Sequence, residues 1–278
     1  MRVALTIAAI LILHSFDALA QRRPDPARET FFYTDGGLRL QAYLYKPRGA
    51  GPFPMVVYNH GSRRGDERVE YPLAYIARIF VPRGYVVLVP ERRGYGKSEG
   101  VTLSQELGED RGRRFVARVR LETNDVLAAT NYVLKTRNFV DPHRVAIMGF
   151  SFGGMVTAFA AAANPRFAAA IVQAPGAGNW DRSADLRDAL VAAAERIRVP
   201  TFCAVAENDQ TTESTRAICE GVHANGTPAE LKIYPSFTSR QRRSGAPGHA
   251  LFTPDGVSVW TKDVLDFLVR TLPPPAKR

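Results

Sequence analysis

The feature that most restricts how this chain can fold is a rhythm. Short apolar runs at residues 55–59 (Met-Val-Val-Tyr-Asn), 85–90, 144–149, 168–173, 201–206 and 229–234 alternate with stretches of helical character. The helical stretches are 70–80, 121–136, 152–163, 183–197, 212–225 and 257–271; in the second, Leu121, Val126, Ala129, Val133 and Leu134 recur at helical spacing. Short apolar strands separated by helices imply parallel pairing, because a parallel crossover needs a dozen or more residues. Two further strands, 30–34 and 38–46, flank Asp35-Gly36-Gly37, a strong hairpin signal and the antiparallel exception. The expectation is an α/β fold: an eight-stranded, mostly parallel sheet flanked by helices. No linker and no internal repeat interrupts it, so residues 21–278 read as one domain, with a Pro-rich tail that frays.

Composition removes other classes. Of 278 residues, 45% are apolar and 23% charged, enough to bury a core and too apolar for bulk disorder. Gly and Pro are frequent but not periodic, which excludes a collagen-like rod. Two cysteines are too few for a disulfide scaffold or a four-thiolate zinc site, and whether Cys203 and Cys219 pair is left open. The net charge of +10 comes from scattered arginines with no nucleic-acid-binding motif, so a basic soluble surface is favoured over a specific nucleic-acid partner.

The first 20 residues read as an address. Met1-Arg2 is a short positive start, residues 3–13 are apolar, and Ala18-Leu19-Ala20 supplies the small residues that precede signal-peptide cleavage. A periplasmic or secreted chain beginning at Gln21 is expected. No later run approaches the ~18 apolar residues of a membrane span.

Chemistry-bearing residues cluster at strand ends. Gly-Phe-Ser-Phe-Gly-Gly at 149–154 follows the fifth strand and opens an Ala-rich helix, the context of a Gly-x-Ser-x-Gly nucleophile turn at Ser151. A serine hydroxyl needs a base, and the base needs an orienting carboxylate. Asp209 follows the seventh strand, with Glu207 as the local competitor; His249 follows the eighth, in a Gly-rich loop. His14, His143, His223 and His60 are placed less suitably. Acyl transfer also needs two N–H donors for an oxyanion. One is expected from Phe152, the other from the loop after the third strand, at Gly61 or rather Ser62, with His60 bracing that loop.

On these residues the chain resembles the α/β-hydrolase superfamily, and within it the dienelactone-hydrolase-like and prolyl-oligopeptidase-like serine hydrolases. The resemblance spans about 30–271 and rests on Asn59-His60-Gly61-Ser62, on residues 91–98 (Glu-Arg-Arg-Gly-Tyr-Gly-Lys-Ser), on 149–154, on Asp209 and on Gly248-His249. It implies a Ser-His-Asp triad and no metal or organic cofactor. Two departures stand out: dienelactone hydrolases proper use a Cys nucleophile, and oligopeptidases carry a propeller for which this chain has no room.

Insertions at 100–120 and 174–199 are short, so only a minimal lid is expected. Arg63 and Arg64 could clamp a substrate carboxylate or be solvated surface; Trp180 could line the site or anchor its loop. The expected activity is hydrolysis of a carboxylic ester or related acyl bond in a small-molecule ester or short peptide-like substrate. The alternatives are a small serine aminopeptidase or acyl-peptidase, and a non-catalytic basic binder on the same scaffold.

Overall fold

A two-residue turn starts the sheet. Gly36 and Gly37 both take positive φ, 54° and 80°, the conformation that a tight hairpin with right-handed strand twist requires. They join β1 (Arg28–Asp35) to β2 (Leu38–Tyr45), with Asp35 opposite Leu38. The computed structural model describes residues 25–110, 112–164, 166–240 and 245–273. The expected signal at 1–20 and the end of the tail lie outside them.

Beyond the hairpin come β3 (Phe53–Asn59), β4 (Val86–Glu91), β5 (Val140–Phe150), β6 (Ala169–Gln173), β7 (Thr201–Ala206) and β8 (Ala229–Tyr234). They form one 8-stranded sheet in the order β1-β2-β4-β3-β5-β6-β7-β8. β2 runs antiparallel to β1 and β4; all later pairs are parallel. This is the eight-stranded, mostly parallel arrangement expected from the strand–helix rhythm, and it fits the fold that the motif resemblance implies.

Helices cover both faces, which is why β3, β4, β6 and β7 are buried at every residue. On one face lie α3 (Arg113–Thr136), α4 (Phe152–Ala163), α6 (Ala184–Ala194) and α7 (Glu213–Ala224), packed on Val57, Leu88, Ile147 and Val172. On the other lie α1 (Ala74–Phe80) and α8 (Val257–Thr271), packed on Val56, Val87, Met148 and Ile171. Each such apolar side chain contributes roughly 1.5–3 kcal/mol on burial. Edge strand β8 has half-exposed and charged positions, which discourages pairing with another chain.

The starts of two helices differ most from the sequence reading, and α6 also ends at Ala194, short of residue 197. The first helix starts at Ala74, not residue 70. Pro72 disfavours helix before it, and the Glu70 carboxylate accepts hydrogen bonds from Gln41 Nε2 (2.9 Å) and Tyr43 OH (3.0 Å). α3 starts at Arg113 rather than 121, so the 100–120 insertion contributes two helical turns of α3 besides the short α2 (Leu103–Leu107). Leu121 is exposed, while Arg118, Glu122 and Asp125 are buried. The inward face of α3 is therefore partly ionic, which apolar periodicity does not register.

Cys203 and Cys219 are free, buried thiols in hydrogen-bonding contact between β7 and α7. That contact raises the Cys203 thiol and lowers Cys219.

Candidate active site

The six parallel strands, β3 to β8, deliver their C-terminal ends to one edge of the sheet, where ligands of open α/β sheets bind. Ser151 sits between β5 and α4 at φ 58°, ψ −119°, a left-handed-side conformation that is strained for a residue with a side chain. The strain is held by the Ser151 N–H donating to Gln173 O (2.9 Å) and by Gly154 N–H donating to Ser151 O (2.9 Å). The flanking glycines are steric necessities. A methyl on Gly153 would overlap the carbonyl oxygens of Asn59 and His60, and one on Gly154 would lie 2.9 Å from Gln173 O. Helix α4 thus starts directly under Ser151, with its free N–H groups and positive dipole end toward that side chain.

Ser151 Oγ lies 2.9 Å from His249 Nε2. On the other edge of the imidazole, Nδ1 lies 2.9 and 3.1 Å from the two oxygens of Asp209. The Asp209 side chain is 1% exposed while that of His249 keeps 27% exposure, so the ring has a buried carboxylate behind it and solvent beside it. The Asp209 carboxylate is further oriented by Gln210 N–H (2.6 Å). His249 lies on a short 3-10 helix, Pro247–Phe252, and packs against Phe150 with ring centroids 4.8 Å apart. Asn208 ties the two loops together: its amide exchanges hydrogen bonds with Phe237 (2.9 and 3.0 Å), and Gly248 N–H donates to its carbonyl (3.3 Å). Glu207 points away, accepting from Ser236 N–H and Oγ–H, which lower its carboxyl below the ordinary value.

Across from His249, the loop after β3 presses on the serine. A Cβ on Gly61 would lie 3.3 Å from Ser151 Cβ, and Ser62, Ser151 and Phe152 line one cleft of about 60 Å³. Leu103, Phe115 and Met155 give that cleft an apolar wall; Arg64 and Asn179 give it a polar one. The 100–120 insertion, from which only a minimal lid is expected, therefore forms a wall of the cleft. A larger groove of about 660 Å³ between α1 and α8 touches none of these residues. Among the described residues no helix is long and apolar enough to cross a membrane.

Below the loop lies a buried charge cluster. Arg92 Nε donates to Glu122 Oε2 (2.6 Å), and its Nη2 donates to His60 O (2.9 Å) and lies 3.2 Å from His60 Nδ1. Burial, together with the Arg92 and Arg63 charges, holds the His60 imidazole well below its ordinary value, so it stays neutral. Burial pushes the Glu91 carboxyl up, against the pull of Arg63 and Arg92.

The paired arginines part company. Arg63 does not face the cleft: it donates to the buried Glu91 carboxylate and to Val69 O (2.9 Å), because a buried carboxylate requires a counter-charge. Arg64 does reach the cleft wall, with its guanidinium on Glu109 (3.0 Å) and Gly108 O (2.6 Å). Trp180 does not line it. It is 8% exposed at the end of α5 (Ala177–Trp180) and packs into the core, the loop-anchor alternative. Sequence reading missed Leu103, Phe115, Met155 and Asn179; only the strand order and α3 packing bring them to the serine.

Sheet, strained serine turn and strand-end histidine and carboxylate together place the chain in the α/β-hydrolase class of folds. More closely, the chain belongs to the dienelactone hydrolase family, whose pattern matches residues 40–253. It is similar to the quorum-quenching protein AidA of Acinetobacter baumannii (strain MDR-ZJ06), 34% identical over 143 residues, which are 51% of this chain and 42% of that one. Esterase FrsA of Salmonella typhi is 32% identical over 149 residues, 54% of this chain and 31% of FrsA. The chain thus spans less than half the length of either relative. Among solved structures, the uncomplexed acylaminoacyl peptidase of Pyrococcus horikoshii superposes with TM-score 0.70 at 17% identity, over 91% of this chain and 43% of that one. The Pyrococcus furiosus esterase Pf2001 gives 0.62 at 15% identity, over 88% and 91%. At these identities the superpositions show the shared fold alone.

Proposed function

We propose that this is an exported serine hydrolase, one catalytic domain at residues 21–278, that cleaves carboxylic esters of short acyl chains through an acyl-enzyme. The observation that carries the reading is the line from Asp209 through His249 to Ser151, with contacts of 2.9 Å on either side of one imidazole. In this reading Ser151 Oγ attacks the ester carbonyl and passes its proton to His249 Nε2. Asp209 holds the ring in the tautomer that accepts there and stabilises the imidazolium. The negative charge growing on the carbonyl oxygen is met by the N–H groups of Phe152 and Ser62, with Gly61 allowing the close approach. Collapse expels the alcohol, which takes the proton from His249. Water, deprotonated by the same imidazole, then releases the acid and restores Ser151.

His249 serves the leaving group, so the cleft on the opposite side, which His249 does not line, takes the acyl chain. A cleft of about 60 Å³ has room for only a few small groups, and Leu103, Phe115 and Met155 suit it to hydrocarbon. Acetyl to butyryl chains fit this description. Arg64 and Asn179 stand at the polar side, available to substrate polar groups.

The test is labelling of Ser151 by a fluorophosphonate, followed by kcat/KM for a series of p-nitrophenyl esters and for aminoacyl amides. Labelling that Ser151→Ala abolishes, with acetate and butyrate esters preferred over chains beyond about ten carbons, is expected; each well-bound or excluded methylene shifts the ratio by ~1 kcal/mol or more. Preference for the amides would assign the chain to peptide substrates. An unlabelled protein would sink the catalytic reading and leave the basic-binder alternative.

A further inference from the structure

The charge cluster under the cleft is an expensive way to build a core. Arg92 and Glu122 are each 0% exposed and Arg118 is 1% exposed, and the Arg92 Nη1 atom has no hydrogen-bond partner among the described residues. Buried ion pairs often contribute less to stability than apolar residues of the same size, and a buried unpaired N–H costs more still. What the cluster does achieve is a fixed position for one carbonyl. Glu122 takes Arg92 Nε at 2.6 Å and Arg118 Nε at 2.8 Å, one on each oxygen, so the carboxylate is locked. Arg118 is itself anchored on Val101 O (3.0 Å) and Arg93 O (2.8 Å). From this base the Arg92 guanidinium reaches His60 O at 2.9 Å. Its Cζ also lies 5.6 Å from the centre of the Phe152 ring. A single guanidinium therefore touches the residue that precedes Gly61-Ser62 and the residue that follows Ser151.

We propose that Arg92, held by Glu122, is a positioning residue that sets the distance between the two N–H donors of the oxyanion site, Ser62 and Phe152. The inference rests on the assignment of those donors under the proposed function and adds to it the element that aims them. Arg92 touches neither substrate nor Ser151; it acts through the His60 carbonyl and the Phe152 ring. Donors aimed at a developing charge act only if they do not have to move into place during the reaction. Loosening them costs transition-state stabilisation while leaving ground-state binding in the cleft largely alone.

The experiment compares wild type, Arg92→Met and Arg92→Lys on a butyrate ester, with kcat and KM separated. The rate of fluorophosphonate labelling and the melting temperature are measured alongside. Arg92→Met keeps the apolar stem and loses the donors. Its kcat is expected to fall about 100-fold, the scale of a misplacement near 1 Å, with KM within about twofold and labelling slowed in parallel. Arg92→Lys retains one cationic donor for the His60 carbonyl and is expected to recover at least about tenfold of that loss. If Arg92→Met does not fold, Arg92→Lys decides: a kcat reduced about tenfold at unchanged KM supports the proposal, and wild-type kcat overturns it. Folded Arg92→Met with kcat within about threefold of wild type, or with the whole effect in KM, also overturns it. An unlabelled wild type overturns the Ser151 reading and this inference with it, whereas a labelled wild type with indifferent variants overturns this inference alone.

Discussion

At the residue scale, two carboxylates two positions apart compete for one histidine, and the geometry separates them. Asp209 presents both oxygens to His249 Nδ1, whereas Glu207 spends its carboxylate on Ser236. Asp209→Asn is expected to keep the fold and favour the wrong imidazole tautomer, lowering kcat about 10⁴-fold as in a serine protease triad. Glu207→Gln should change kcat/KM by no more than severalfold, its charge being exposed and screened. Steady-state kinetics on one fast ester, with circular dichroism for folding, check both. A larger loss in Glu207→Gln would mean the acid is misassigned. His60 carries a second residue-scale consequence. Unfolded, its imidazole protonates near 6.5; folded, burial first and then Arg92 and Arg63 keep it neutral well below that. The unfolded chain then binds the extra proton, so stability is lost as pH drops through and below 6.5. Glu91 works in the opposite sense: its raised carboxyl makes the folded state the proton-richer one above about 4.5, and its contribution weakens as pH rises from there. Urea midpoints from pH 7 to 5.5 should therefore decline less steeply in His60→Gln than in wild type. Parallel curves would mean that His60 accepts a proton in the folded protein.

At the element scale, the site is a set of contacts between the end of one strand and the start of the next helix. Helix α4 can begin beneath Ser151 only because Gly153 has no side chain against the Asn59 and His60 carbonyls. Gly153→Ala should destabilise the protein by about 3 kcal/mol or more, at the upper end of overpacking. It should also push the loop after β3 away from the serine. Chemical denaturation reads the first effect and fluorophosphonate reactivity the second; wild-type values for both would show that strand and helix separate freely here. The same scale explains an error in reading the chain. The start of α3 at Arg113 is crowded with arginine and looks like an insertion. It is helical because Arg118 and Glu122 turn inward to neutralise one another and Arg92, a pairing that no apolar period announces.

At the scale of the whole molecule, the mostly parallel sheet gathers residues far apart in sequence at one rim, Ser151 and His249 being separated by 98 positions. The net charge of +10 stands apart from that rim chemistry and favours weak, salt-sensitive attraction to anionic surfaces. Export belongs to this scale as well. If Ala18-Leu19-Ala20 directs cleavage, intact mass of protein recovered from the cell envelope or medium begins at Gln21. A full-length chain confined to the cytosol would overturn it.

The alternation of short apolar runs with helices was enough to settle the sheet, because a strand buried on both faces must be apolar throughout and a parallel crossover must be long. The serine turn was legible for a similar reason: only glycines tolerate the packing at 149, 153 and 154, so the motif is written in residue type. Asp209 and His249 could be named because chain order places them at the ends of later strands. What lines the cleft could not be read. Leu103 and Phe115 look like ordinary apolar residues until α2 and α3 carry them across to Met155, and Arg63 and Arg64 look alike until the buried Glu91 claims one of them. Local periodicity records which face of an element is apolar. Which element that face meets, and which charge is left beside which, is decided by tertiary packing, where burial turns a choice of neighbour into several kcal/mol.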